Sequence, residues 1–177
     1  MIPQIIILDD EEGVLKALKR SLRNYGWHLL TFTDPEAALN VAATQEIDLV
    51  ISDYRMPAMD GVTFLKELMA IQPDSFRIIL SGQADMDGVL AAINQAEIYR
   101  FITKPWNDSE LAFTIEQALT YRRLLLENRR LADLVRKQQV QLDYQKTELD
   151  RLEIESPGIT RVEFDADGAI VLDDGDY

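Results

Sequence analysis

QIIILDD, residues 4–10, is the stretch that decides the class of fold. Its apolar part is almost continuous and largely β-branched, which is typical of a strand that is buried on both faces of a parallel sheet. Residues 11–24 follow with Val14, Leu15, Leu18 and Leu22 at helical spacing. A buried strand that leads into an amphipathic helix predicts the first unit of an alternating α/β fold.

The same alternation continues as far as Pro105. Further strands are predicted at 27–32, 47–52, 76–81 and 99–103, and further helices from Asp34 onward, at 61–70 and at 85–95. This order of elements implies a parallel sheet with helices on both faces. Because ligands of such sheets bind beyond the carboxyl ends of the strands, the candidate functional residues are sought there.

Composition and charge exclude several classes of function. The chain has 177 residues, no cysteine and a formal net charge of −13, so it has no disulfide framework, thiolate zinc site or cysteine nucleophile. The negative charge disfavours nucleic-acid binding, and Arg122-Arg123 and Arg129-Arg130 are interpreted as the solvated face of a helix. No apolar run is long enough to span a membrane and no signal peptide is present, so we expect a cytoplasmic protein that binds no membrane.

A second segment begins near Trp106, where helical sequence runs without Gly or Pro until Pro157. Its heptad a positions hold Tyr121, Asn128, Val135, Leu142 and Leu149, and its d positions hold Leu124, Leu131, Gln138, Gln145 and Leu152. This pattern predicts a coiled coil that forms a homodimer, although a helix folded back on its own domain is the alternative. We therefore divide the chain into a domain at 1–119, a coiled-coil helix at 120–155, and a short hairpin with an acidic tail at 156–177.

Charged and hydroxyl side chains follow consecutive predicted strands. Asp9 and Asp10 follow the first strand, Asp53 the third, Ser81 the fourth and Lys104 the fifth. Three carboxylates at one sheet edge repel each other, and Mg²⁺, which takes carboxylate, water and phosphate oxygens, relieves that repulsion. Asp53 would then attack phosphorus as a nucleophile, with the metal and Lys104 neutralising the developing charge and Ser81 donating to the acyl phosphate.

The motifs that contain these residues resemble those of a known family. The stretches IIILDDE (5–11), DYRMPAMDG (53–61), ILSG (79–82) and FITKP (101–105) are similar, in type and order, to the receiver domain of two-component response regulators. The resemblance covers residues 1–119. It implies the flavodoxin-like (CheY-like) fold, a doubly wound five-stranded parallel sheet with strand order 2-1-3-4-5.

The resemblance also implies a role for each matching residue. Asp53 would be the phosphoacceptor, and Asp10, Asp53 and the Arg55 carbonyl would bind Mg²⁺, with Asp9 holding a metal-bound water. Lys104 would pair with the phosphoryl group, before a cis bond to Pro105. Ser81 and Phe101 would be the switch residues, and the phosphoryl donor would be a sensor histidine kinase.

We therefore expect a phosphoprotein that carries an aspartyl phosphate and relays a signal as a dimeric adapter without an output domain, acting on an unknown downstream protein. We expect no enzymatic activity beyond its own phosphorylation and dephosphorylation. One alternative is a receiver and linker fragment of a larger regulator whose output domain is a cyclic-dinucleotide enzyme, a phosphatase or a transcription activator. Another is an enzyme in which Asp53 turns over a small phosphorylated substrate.

Overall fold

The structure is a computed structural model that describes residues 2–82 and 96–157. Its strands are β1 (Gln4–Leu8), β2 (His28–Phe32), β3 (Leu49–Asp53), β4 (Phe76–Gly82) and β5 (Arg100–Lys104). Its helices are α1 (Glu12–Leu22), α2 (Pro35–Ala42), α3 (Gly61–Ile71) and α4 (Asp108–Glu155). The helix expected at 85–95 and the hairpin and acidic tail expected after residue 157 lie outside the described residues.

The strands form one parallel sheet in the order β2-β1-β3-β4-β5, which confirms the fold class expected from the sequence. β1 pairs with β2 and β3, and β4 pairs with β3 and β5, all in parallel. The order places β1 and β3 side by side near the middle of the sheet. The carboxyl ends of all the strands consequently lie along one edge.

Two apolar layers cover the two faces of the sheet. One layer joins alternate residues of β1, β3 and β4 to α2 and α3, with Phe64 and Leu68 fully buried. The other joins the remaining residues of those strands to α1 and the first turns of α4, with Leu18 and Ile115 fully buried. Burial on both faces explains why the sequence of β1 is a continuous apolar run rather than an alternating one.

Side chains just before three helices accept hydrogen bonds from backbone N–H groups that have no partner inside the helix. Asp34 accepts from the amides of Glu36 and Ala37 at the start of α2, which begins with Pro35 as the sequence predicts. Asp60 does the same for α3. Asn107 accepts from Ser109 and Glu110 at the start of α4. These caps fix where each helix begins, and Asp60 thereby fixes the connection between β3 and α3.

The chain divides into two compact units, residues 1–127 and 128–177. The first contains the sheet with its two covering layers. The described part of the second is helical to Glu155, and it carries exposed large apolar side chains, of which Val135, Leu142 and Leu149 are more than half exposed. Among residues 2–82 and 96–157, no helix combines the length and hydropathy that crossing a membrane requires.

Arg122 lies differently from its sequence interpretation. It was expected on the solvated face of a helix, yet only 7% of it is exposed. Its guanidinium donates to the Asp48 carboxylate, to Glu46 at 3.0 Å and to the Asp74 carbonyl at 2.9 Å. Three acceptors around one planar group compensate for the cost of burying its charge. Helical periodicity could not reveal this, because the acceptors come from distant parts of the chain.

Candidate functional site

The candidate site residues lie at the carboxyl edge of the sheet. Three of them lie within the strands, whereas the sequence suggested that they follow the strands. Asp53 is the last residue of β3, Ser81 lies within β4, and Lys104 is the last residue of β5. Register pairs Asp53 with Leu80, Ser81 with Thr103, and Gly82 with Lys104. The strands therefore extend one residue further than predicted, because backbone pairing continues through these polar residues.

The Lys104 ammonium is the centre of the site. Its Nζ lies 2.7 Å from Asp9 Oδ2 and 2.5 Å from Asp53 Oδ1, so one cation contacts two carboxylates. The side chains of Asp9 and Asp53 are 1% and 9% exposed, whereas that of Lys104 is 23% exposed. The two carboxylates are thus largely removed from water, while the ammonium retains access to it. Of the five residues predicted at this edge (Asp9, Asp10, Asp53, Ser81 and Lys104), these three are in contact, and we call them the cluster of Asp9, Asp53 and Lys104.

Burial is the main influence on the ionisation of Asp53. Burial raises the pKa of the Asp53 carboxyl, and the hydrogen bond and positive charge of Lys104 offset only part of this, while the charge of Asp9 adds to it. Burial also disfavours the Lys104 ammonium, but hydrogen bonds and charge from Asp53 and Asp9 outweigh that and raise the pKa of Lys104. Lys104 therefore stays charged, and Asp53 is the group for which ionisation is costly.

The second oxygen of each buried carboxylate is held by the backbone. Asp53 Oδ2 accepts from the amide of Arg55 at 2.9 Å, and Asp9 Oδ1 accepts from the amide of Glu11 at 2.9 Å. With one oxygen on Lys104 and the other on an amide, both carboxylates have fixed orientations. Asp10, by contrast, is exposed. Within the two described ranges, the structure gathers no set of three acidic or histidine side chains that could hold a metal, so it does not join Asp10 to the cluster.

Ser81 and Phe101, the expected switch residues, lie on neighbouring strands. Ser81 is fully buried, and its Oγ is the one buried side-chain polar atom in the described part of the chain that has no hydrogen-bond partner. A buried hydroxyl without a partner is costly, so such an atom is a candidate for contact with a ligand. Phe101 is partly buried against the layer that contains α2 and α3. The Lys104–Pro105 bond is cis, as the resemblance implies.

The donor set suits magnesium and a phosphoryl group. Asp9 and Asp53 bring two negative charges against the single positive charge of Lys104, and Asp10 follows directly in the sequence. Carboxylate and carbonyl oxygens are the ligands that Mg²⁺ prefers, and the unpartnered Ser81 hydroxyl is a donor that a phosphoryl oxygen can accept from. By the chemistry of their donor atoms, the residues present therefore fit the metal and the group that the sequence suggested.

Two residues near Asp53 received no role from the sequence. The Ser52 hydroxyl donates to the main-chain carbonyl of Asp53 at 2.9 Å, and Gly61 lies against the same carbonyl so closely that a Cβ there would be 2.0 Å from its oxygen. In the sequence, Gly61 is distinguished only as the last residue of the DYRMPAMDG motif. A glycine after an aspartate at a helix start is too common a pattern to indicate such a contact by itself.

Comparison with known proteins agrees with this geometry. The family profile described as the response regulator receiver domain matches residues 5–116. The chain is 35% identical over 115 residues to the hydrogenase transcriptional regulatory protein HoxA of Cupriavidus necator, covering 65% of this chain and 24% of HoxA. It is 33% identical over 129 residues to the C4-dicarboxylate transport transcriptional regulatory protein DctD of Rhizobium meliloti, covering 73% of this chain and 28% of DctD. The chain thus spans about a quarter of the length of these curated relatives.

Among solved structures, the fold is similar to the signal receiver domain of an HD domain-containing protein from Pseudomonas fluorescens Pf-5. The TM-score is 0.66 at 37% sequence identity, covering 70% of this chain and 98% of that one. The likeness spans nearly all of that receiver domain but not the whole of this chain. Residues 5–116, which the family profile matches, contain the cluster of Asp9, Asp53 and Lys104.

Proposed function

The chain belongs to the response regulator receiver family, and from that premise we propose that Asp53 accepts a phosphoryl group from a phosphohistidine of a sensor kinase. The observation that carries this proposal is the contact of one ammonium, Lys104, with two buried carboxylates at the carboxyl edge of the sheet. Sensor kinases act with receivers inside the cell, so we also place the protein in the cytoplasm.

Transfer requires Asp53 to present a carboxylate oxygen to phosphorus. A new bond forms between a carboxylate oxygen and phosphorus while the bond from phosphorus to the histidine nitrogen breaks, and the imidazole leaves with the electron pair of that bond. The amide of Arg55 holds Oδ2 of Asp53, so the carboxylate does not need to find its orientation during the reaction. Asp53, the Arg55 carbonyl and, through water, Asp9 would hold Mg²⁺, together with Asp10, which would have to join them from its exposed position. The ion would supply positive charge to the phosphoryl oxygens.

Lys104 and Ser81 stabilise the product. The ammonium lies 2.5 Å from Asp53 Oδ1, so a small displacement brings it to an oxygen of the attached phosphoryl group. The Ser81 hydroxyl, which has no partner among the described residues, gains one by donating to another phosphoryl oxygen. Phe101 on the adjacent strand is only partly buried, and we expect it to turn inward as Ser81 moves. Phosphorylation thus changes packing as well as charge.

The direct test is the intact mass of the protein after incubation with acetyl phosphate and Mg²⁺. We expect the wild type and Asp133→Asn, a change at an exposed helical aspartate, to gain one phosphoryl group. We expect Asp53→Asn to gain none. Phosphorylation of Asp53→Asn to the wild-type extent would show that another residue is the acceptor.

We further propose that the signal is relayed by a homodimer joined through α4. The heptad positions of this helix hold seven large apolar or aromatic side chains, and all seven are exposed in the single chain: Tyr121, Leu124, Leu131, Val135, Leu142, Leu149 and Leu152. A second copy would cover this stripe, with Asn128 fixing the register. Leu134 and Val140 are exposed as well, at positions outside the stripe. Because the stripe contains no phosphorylation site, we expect the dimer to be constitutive.

Light scattering tests the dimer. Mass is measured with Mg²⁺ alone and with beryllofluoride added, beside Asp53→Ala. A dimer in every condition is the expected result. A monomer that dimerises only with beryllofluoride, and not in Asp53→Ala, would make dimerisation the output and would contradict a constitutive scaffold.

A second candidate is that the receiver and α4 belong to a larger regulator with its own output domain. The relatives named above favour it, because they are transcriptional regulatory proteins about four times the length matched here. The mass of the native gene product, measured by immunoblot with an antibody to this chain, distinguishes the two. A product of about 20 kDa supports the adapter, and a much larger one supports the regulator.

We propose no catalysis beyond the protein's own phosphorylation and dephosphorylation. The cluster of Asp9, Asp53 and Lys104 provides a nucleophile and a cation, but true phosphatase turnover also needs a carboxylic acid beside the leaving group. Steady-state phosphate release from a generic phosphoester measures this. Multiple turnovers that disappear in Asp53→Asn would establish an enzyme instead.

A further inference from the structure

The main-chain carbonyl of Asp53 is in close contact with two residues. The Ser52 hydroxyl donates to it at 2.9 Å. Gly61, the first residue of α3, lies against it, because an added Cβ there would stand 2.0 Å from the carbonyl oxygen, 3.0 Å from the carbonyl carbon of Asp53 and 3.1 Å from Ser52 Oγ. Backbone does not yield as a flexible side chain does, so no residue with a Cβ fits here without displacement.

The contact closes the loop between β3 and α3. The Gly61 amide donates to the Tyr54 carbonyl at 3.0 Å, and the Tyr54 amide donates to Leu80 of β4 at 2.8 Å. At the same point the Asp60 side chain accepts from the amides of Val62 and Thr63, each at 3.0 Å. The first turn of α3 is thereby joined to the end of β3 immediately beside Asp53.

We propose that Gly61 and Ser52 are positioning residues for Asp53, which they hold through its main-chain carbonyl rather than through its carboxylate. This inference rests on the proposed phosphorylation of Asp53 and adds to it how the nucleophile is kept in place. Lys104 and the Arg55 amide fix the carboxylate oxygens, but they do not fix the backbone from which the side chain extends. Gly61 and Ser52 do.

The size of the effect follows from the contact. An added Cβ would lie 2.0 Å from the Asp53 carbonyl oxygen, whereas real Cβ atoms essentially never come closer than 3.0 Å to a neighbouring atom. Either α3 or Asp53 must therefore shift by about 1.0 Å. A misplacement of about 1 Å in a reacting group costs on the order of 10²-fold in rate. Gly61→Ala is therefore expected to slow phosphorylation about 10²-fold, and Ser52→Ala, which removes one hydrogen bond without a clash, to slow it less.

The chain offers a matched control in Gly13, where an added Cβ meets nothing within 4 Å. Gly61→Ala, Ser52→Ala and Gly13→Ala are compared as full-length proteins with acetyl phosphate as donor, so that kinase docking plays no part. The maximal rate and the half-saturating donor concentration are measured separately. The amide resonance of Arg55 is followed by ¹⁵N NMR in the unphosphorylated proteins, because this amide donates to Asp53 Oδ2 and reports the placement of the side chain.

The expected result is a shifted Arg55 amide and a lower maximal rate in Gly61→Ala, with a smaller change in Ser52→Ala and neither change in Gly13→Ala. A Gly61→Ala protein that melts earlier but keeps both the wild-type Arg55 resonance and the wild-type rate would overturn the proposal, since packing alone would then explain the glycine. If Gly61→Ala does not fold, Ser52→Ala decides on the same two readouts. The wild type could fail to take a phosphoryl group while Gly61→Ala still shifts the Arg55 amide resonance. That result would refute the proposed function and leave the positioning role standing.

Discussion

Replacing Lys104 by methionine tests the electrostatics of the site most directly. The change keeps most of the apolar stem of the side chain and removes the ammonium that contacts Asp9 and Asp53. Removing one partner of a buried ion pair costs about 3–5 kcal/mol, because the remaining charge is left without compensation. Lys104 is 23% exposed, so we expect the lower end of that range, about 3 kcal/mol at pH 7.

Lys16→Met is the matched control. Lys16 makes a similar contact with Glu12, at 2.9 Å, but the two side chains are 77% and 74% exposed. An exposed helical pair of this kind contributes about 0.3–0.5 kcal/mol. At about 4 °C per kcal/mol for a domain of this size, the melting midpoint should fall by about 12 °C in Lys104→Met and by about 2 °C in Lys16→Met. Urea denaturation with EDTA present gives the free energies without interference from bound metal.

The penalty in Lys104→Met should depend on pH. Burial already raises the pKa of Asp53, and loss of Lys104 removes the hydrogen bond and charge that lower it. The folded variant then binds a proton before the unfolded chain does, so its free energy of unfolding rises as pH falls from 7 towards 5. The wild type loses the contribution of Lys104 at the other extreme, as pH rises above the ordinary value of 10.5 through the raised pKa of this group. Equal costs for the two methionine variants, or a Lys104→Met penalty unchanged between pH 7 and 5, would refute the reasoning.

Three further changes test neighbouring features. Asp53→Asn should raise the free energy of unfolding at pH 7, because a carboxyl whose pKa is raised by burial destabilises the fold when it is ionised. This gain in stability should vanish in acid, where the carboxyl is protonated. Urea titrations at pH 7 and pH 3.5 check this. Arg122→Ala should cost about 3 kcal/mol, since it removes the guanidinium that donates to Asp48 and to the Asp74 carbonyl. The exposed Arg136→Ala should cost less than about 0.5 kcal/mol, and equal values by urea denaturation would contradict this. Asp60→Ala should cost about 1 kcal/mol, because α3 loses its cap. The cost should be larger at pH 7 than at pH 3, because burial raises the pKa of Asp60 but hydrogen bonds from Thr63 and Val62 outweigh it and lower that pKa. A pH-independent cost would count against the cap.

The fold could be predicted because its signals are local. Each strand is a short apolar run, and two helices begin at an aspartate that the structure shows to be a cap, Asp34 and Asp60. Strand ends were misjudged by one residue where the strand ends in polar residues, at Asp53 and Lys104. Polar residues usually indicate that a strand has ended, but here the backbone pairing continues into the site itself.

The candidate site was predictable for a different reason, namely that parallel strands bring distant carboxyl ends to one edge. That rule placed Asp9, Asp53 and Lys104 together, and the structure has all three in contact. It could not distinguish Asp9 from Asp10, of which only Asp9 is buried. Nor could it reveal Gly61, whose role depends on a distance to a backbone atom rather than on a side chain.

Two ion pairs lie at opposite ends of β3. Asp48, directly before β3, is paired with Arg122 of α4, and Asp53, its last residue, is paired with Lys104 of β5. The Asp48 carboxylate also accepts from the amide of Gln4, the first residue of β1. The strand that carries the proposed phosphoacceptor is thus held at each end by a cation from a different part of the fold. The proposed phosphorylation of Asp53 would change the charge at only one of these ends and would leave the pair of Asp48 and Arg122 without a direct change in charge.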